Sequence, residues 1–237
     1  MKLLLTSNGF MNTSLEKDFL EMTDHKSDLT IAIIPTASDP IEWVPEKEGD
    51  PIKDYVPKLI LEKKEKNAEW LNSYTKEWEK KGYRVIIADL KEDPTTLKKK
   101  LESVDVIDVT GGDVNWLLDW AKKSKLDTYL KDVLSKGVVY IGTSAGSGLV
   151  NPDIGLTWWE PGWTLDHRGL GIVDFVVVPH QKESDVLSNV ENLTKRKEYL
   201  QKTMNFSWKI YLLQDGQAIK VDGDKIEHIG PGTKESI

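Results

Sequence analysis

From Gly137 to Leu149 the chain reads Gly-Val-Val-Tyr-Ile-Gly-Thr-Ser-Ala-Gly-Ser-Gly-Leu, an apolar run that stops at a Gly-x-Ser-x-Gly turn. A strand has to end there and a helix begin, and only small residues at 142 and 146 let the two backbones close around the turn. Ser144 then projects alone above the strand end. The first amides of the following helix have no partner within it, so the N–H of Ala145 can stabilise an oxyanion. A turn packed with small residues, or one that holds an anion without reacting, is the plainer alternative.

Similar apolar runs recur at residues 3–6, 29–35, 84–90, 104–110, 137–142, 173–179 and 209–214. Runs that are hydrophobic throughout belong to strands covered on both faces, as in a parallel sheet. Charged stretches with helical spacing lie between most of them, including 54–81, 113–123 and 126–135. Strand alternating with helix predicts an α/β sandwich. Trp70, Tyr74 and Trp78 fall at i, i+4 and i+8, which predicts a core-facing stripe. Residues 218–221 and 226–229 flank Gly223 and predict a small C-terminal β-hairpin. The segment 39–57 carries four prolines and Trp43, is too irregular for a strand and too long for a simple connection, and fits either a lid or an insertion. With no repeat and no compositional break, one domain over 1–237 is expected.

Charge narrows the function. The 39 acidic and 32 basic residues are interleaved and leave a net charge of -7, so nothing favours binding to nucleic acid or an anionic membrane. The chain has no cysteine, which removes thiol nucleophiles, Cys-ligated zinc and disulfides. Catalysis must then come from oxygen and nitrogen groups. The opening Met1-Lys-Leu-Leu-Leu5 is too short for a signal peptide, and no apolar run reaches the roughly eighteen residues a membrane span needs, so the cytoplasm is the expected location.

A serine nucleophile needs a base, and four histidines are available. His25 lies in a polar run, His167 in a Trp-rich loop and His228 in the terminal hairpin. His180 follows the run 173–179 and so falls at the carboxyl end of a strand, the edge where sites form in open α/β sheets. Asp215 ends the run 209–214 by the same logic and is the candidate carboxylate, although Asp215-Gly216 also reads as a simple turn. Gly111-Gly112 closes another strand. It can bring the Gly112 N–H to the oxyanion, with Asp113 the natural N-cap of the helix after it.

Taken in order, Thr110-Gly-Gly-Asp113 with Leu117-Leu118, Gly142-Thr-Ser-Ala-Gly146 and Val178-Pro-His180 resemble the motifs of serine peptidases of the aspartyl dipeptidase (peptidase E) and cyanophycinase type. The opening Leu3-Leu-Leu-Thr-Ser7 and Gly169-Leu-Gly171 also fit, so the resemblance covers most of the chain. It implies a class I glutamine amidotransferase-like, flavodoxin-like fold: a three-layer α/β/α sandwich with a mostly parallel sheet, in which serine replaces the amidotransferase cysteine. Hydrolysis of a small peptide through an acyl-enzyme, without metal or organic cofactor, follows from the same resemblance. Carried over by motif, Ser144 is the nucleophile, His180 the base, and Gly112 and Ala145 the oxyanion donors. Asp215 stands where the dipeptidase branch has a glutamate, and Asp153 and Glu160 remain alternatives for the third member. Arg196 is either the match to an arginine that selects an acidic N-terminal residue, which would admit an Asp-X dipeptide, or a surface charge on a helix; Asp113 and Trp159 are further candidate substrate contacts, Trp159 lying in a cluster with Trp158 and Trp163 that either lines a pocket or simply packs. Two rivals stay open: an α/β-hydrolase-type esterase using Ser144, Asp215 and His228, and a non-catalytic carboxylate- or phosphate-binding relative. A small peptide is the expected partner, and a homodimer is compatible with the sequence.

Overall fold

β1 (Lys2–Thr6) runs parallel to β7 (Val139–Thr143), and beyond it lie β6 (Val106–Val109), β2 (Thr30–Ile34) and β5 (Arg84–Ile87), each parallel to its neighbour. On the other side of β1, β10 (Ala218–Asp222) and β11 (Lys225–Ile229) add antiparallel. The expected terminal hairpin is thus the edge of the main sheet, turning at Gly223 with φ +60°. This arrangement comes from a computed structural model that describes residues 1–11, 13–49, 55–155, 168–181, 198, 201–202 and 208–237.

Both faces of the sheet are covered, which explains why its strands are apolar at consecutive positions. Leu3, Leu5, Ile107 and Val109 pack with α3 (Pro94–Glu102), α4 (Val114–Lys123), α5 (Leu126–Ser135) and α6 (Ala145–Leu149). Leu4, Ile31, Ile33 and Ile141 pack with α1 (Glu16–Met22) and α2 (Lys64–Lys80) on the opposite face. Side chains alternate across a strand, so each run feeds two cores and the result is a three-layer α/β/α sandwich.

Three expectations need correction. Residues 173–179 and 209–214 do not join the main sheet: β8 (Val176–Val178) and β9 (Ile210–Leu212) pair in parallel in a separate sheet completed by β12 (Glu235–Ser236). Asn151 anchors that sheet to the end of α6 by exchanging two hydrogen bonds of 3.0 Å with the Val177 backbone. The segment 39–57 contains strand after all, because β3 (Ile41–Pro45) pairs with β4 (Tyr55–Leu59). A two-stranded ribbon is all edge, so Pro45 and Pro57 can be accommodated without loss of an inner ladder bond. Once 55–59 is committed to that pairing, α2 begins at Lys64 rather than at 54.

The aromatic stripe on α2 is buried only at one end. Trp78 is fully enclosed, whereas Trp70 is 40% exposed and stacks on Tyr74 at 5.5 Å between ring centroids. A spacing of four residues overshoots the helical turn by about 40°, so over its two steps the stripe rotates by about 80° and one end leaves the core. Tyr74 Oη and Trp78 Nε1 both donate to Oδ2 of Asp108, at 2.8 and 2.9 Å, while Oδ1 of this fully buried carboxyl has no partner among the described residues. Burial pushes the Asp108 carboxyl up to about 6, although the two donors pull the other way.

Candidate active site

Ser144 stands at the junction of β7 and α6 with φ +50° and ψ −105°, a conformation that L-residues rarely adopt. Its two glycine flanks are steric requirements. A Cβ on Gly146 would stand 2.2 Å from the Val109 carbonyl oxygen, and one on Gly142 would stand 2.6 Å from the Gly146 carbonyl oxygen. β1 holds the turn from the side: the Ser144 N–H donates to Thr6 O at 3.0 Å, Ser147 Oγ donates to the same oxygen at 2.8 Å, and Thr6 Oγ1 donates to Gly142 O at 3.0 Å.

His180 follows β8, and its Nε2 lies 2.8 Å from Ser144 Oγ. Its Nδ1 lies 2.9 Å from Asp215 Oδ1. Ionised Asp215 can only accept, so Nδ1 carries the proton and Nε2 is free to accept from the serine hydroxyl. Ser144, His180 and Asp215 therefore form one hydrogen-bonded chain, and Asp215 is the carboxylate that meets His180. His180 itself has φ +58°, the second strained backbone in the site. The separation of β8 from the main sheet does not pull this histidine away, because Gln181 N–H donates to Leu213 O and Leu213 N–H to Val178 O, tying the ends of β8 and β9 together.

The Gly111-Gly112 turn borders the serine. A Cβ on Gly111 would meet Ser144 Cβ at 3.2 Å, and one on Gly112, where φ is +139°, would fall 1.9 Å from Ala37 O. Glycine at 112 lets the turn pass flush against residues 37–38. Asp113 is engaged as an N-cap: Oδ1 accepts from Trp116 N–H at 2.8 Å and Oδ2 from Trp43 Nε1 at 2.6 Å. The second contact fastens the β3–β4 ribbon beside the Gly-Gly turn.

The remaining candidates fall elsewhere. His228 lies on β11, two strands away from β1, with its Nε2 3.1 Å from Gln217 Oε1, and burial with the nearby Lys234 and Lys209 charges pushes its imidazole down to about 4. Asp153 is buried, and its backbone forms an isolated antiparallel β-bridge with that of Arg168. Glu160, Trp158, Trp159, Trp163, His167 and Arg196 lie outside the described residues. No described helix is long and apolar enough to cross a membrane, and no group of three or more described His, Asp or Glu residues is placed to hold a metal ion.

Sequence reading quoted Ser7 only as the end of the opening Leu3–Ser7 match, and gave neither Ser7 nor Asn8 a role in the site. Ser7 is fully buried and makes three polar contacts: Oγ donates to Asp215 Oδ1 at 2.8 Å, accepts from the His180 N–H at 2.8 Å, and its own N–H donates to Gln217 O at 3.0 Å. Asn8 Oδ1 accepts from the Gly216 N–H at 3.0 Å. The available signal was position. Small polar residues directly after an apolar central strand sit at the carboxyl edge, where such sheets build sites.

The family model for peptidase family S51 matches residues 55–229. An uncharacterized peptidase of Listeria monocytogenes is 27% identical over 137 residues, covering 54% of this chain and 61% of that protein. A peptidase E of Nostoc sp. is 30% identical over 158 residues, covering 64% of this chain and 62% of that protein, so the match spans less than two thirds of either relative. Among solved structures, a peptidase from an acI-B1 actinobacterium has a TM-score of 0.65 at 14% identity, with 100% of this chain and 93% of that one covered.

Proposed function

The chain belongs to peptidase family S51, and on that premise we propose that it is a serine peptidase cleaving small peptides through an acyl-enzyme on Ser144. One observation carries the reading: Ser144 Oγ, His180 Nε2, His180 Nδ1 and Asp215 Oδ1 follow one another at 2.8 and 2.9 Å across the imidazole. Oγ attacks the scissile carbonyl carbon as its proton passes to Nε2. The resulting imidazolium keeps its Nδ1 proton and donates it in a hydrogen bond to Asp215, which stabilises the charge and fixes the ring. The N–H groups of Gly112 and Ala145 take the oxyanion. Collapse breaks the C–N bond, Nε2 delivers its proton to the leaving amine, and water, deprotonated by the same nitrogen, hydrolyses the ester.

The substrate is read more coarsely, as a short peptide with an Asp-X dipeptide the first to try. Intact-protein mass spectrometry after fluorophosphonate treatment tests the reading. A single adduct on the wild type, lost in Ser144→Ala and in His180→Ala, is the expected result. An adduct that survives Ser144→Ala, or a wild type that takes none and turns over no dipeptide, would overturn it.

A further inference from the structure

Ser7 closes a ring of hydrogen bonds around His180. The imidazole Nδ1 donates to Asp215 Oδ1, Ser7 Oγ donates to that same oxygen, and the His180 backbone N–H donates to Ser7 Oγ, at 2.9, 2.8 and 2.8 Å. The path leaves His180 through its side chain and returns to it through its main chain. A loop of this kind fixes the imidazole relative to its own backbone, and so fixes the direction in which Nε2 points.

The need for such a device is visible in the geometry. His180 has a left-handed backbone, sits at the end of a three-residue strand in the smaller sheet, and has a side chain 51% open to solvent. Packing alone holds it weakly. Ser7 is its opposite: fully buried, continuous with β1, and one residue from Thr6, which carries the nucleophile turn. Asn8 supports the arrangement by holding Gly216, the residue after the carboxylate.

We infer that Ser7 is the positioning residue of this site, orienting His180 and Asp215 against Ser144 from the end of β1. The inference rests on the peptidase reading above, but the hydrogen-bond ring can be measured without a substrate. Ser7 touches no reacting atom; it acts through the carboxylate and the histidine backbone. Its donation to Asp215 also withdraws charge from the oxygen that faces the imidazole.

Ser7→Ala tests this in two ways. In the wild type, proton NMR of ¹⁵N-histidine-labelled protein should give a downfield Nδ1–H resonance assignable through its loss in His180→Ala; in Ser7→Ala it should shift or broaden away. The maximal rate of fluorophosphonate labelling should fall about 10- to 100-fold, the range expected for a lost hydrogen bond to a charged group, with the half-saturating probe concentration unchanged. Ser7→Thr keeps the hydroxyl and should recover most of the rate, while Ser7→Cys, a weak donor of similar shape, gives the same test if the alanine variant unfolds. A Ser7→Ala protein that keeps both the resonance and the labelling rate overturns the positioning role even if Ser144→Ala is dead. Failure of the peptidase reading shows instead in the wild type, as absent labelling.

Discussion

His180 Nδ1 and Asp215 Oδ1 are 2.9 Å apart, yet the two side chains are 51% and 57% exposed. Water screens a pair as open as this, so its value lies in fixing the imidazole tautomer and angle more than in charge attraction. Asp215→Ala should therefore lower kcat by about a hundredfold or more with little change in KM, since the contact matters most once the imidazolium forms. Steady-state kinetics on a cleaved dipeptide checks this. An unchanged kcat would remove Asp215 from the mechanism.

The elbow glycines make a steric prediction. Gly146→Ala would place a methyl group 2.2 Å from a backbone oxygen of β6, where no side chain can yield, and should cost roughly 1–3 kcal/mol or more and abolish labelling of Ser144. Gly82 is the control. It also has a positive φ, +90°, but open space around the added Cβ, so Gly82→Ala should cost about 1 kcal/mol of backbone strain and leave activity intact. Urea unfolding of both variants separates crowding from strain.

Asp108 links stability to pH. Its carboxyl keeps a proton in the folded chain up to about pH 6, against an ordinary value of 3.8. Below that window both states hold the proton, and above it both have lost it. Between the two values the folded state binds more protons, so stability falls as pH rises, by about 3 kcal/mol in all. Asp108→Asn lacks this titration. Its stability relative to wild type should improve by about that amount from pH 3.5 to pH 7 in denaturant unfolding. A flat difference would show that Asp108 does not titrate in this range.

Asp113 should behave as a helix cap. Asp113→Ala removes the acceptor for Trp116 N–H and for Trp43 Nε1, and should cost about 1 kcal/mol of stability. Asp113→Ser restores the cap alone and should recover most of that loss. KM for a cleaved dipeptide should stay the same in both variants; a large rise in KM with unchanged stability would make Asp113 a substrate contact instead.

Much of the molecule was legible along the chain, because the relevant forces act between near neighbours. Continuous apolar runs marked the strands of a sheet covered on both faces, and α5 occupies the expected 126–135. The glycines at 142 and 146 announced the strand-to-helix turn that presents Ser144, and strand-end position singled out His180 and Asp215. Tertiary structure decided what depends on distant segments. Residues 41–45 and 55–59 look irregular alone and become strands only by pairing with each other. Asp215, Asp153 and Glu160 were all candidates; folding sets Asp215 against His180, while Glu160 lies outside the described residues. Ser7 is the clearest case: its partners lie 173 and 208 residues away, and nothing in its immediate sequence reveals them. Periodicity and turn chemistry record local preference, whereas contacts across such separations exist only once strand order and register have brought the carboxyl ends of β1, β7, β8 and β9 together.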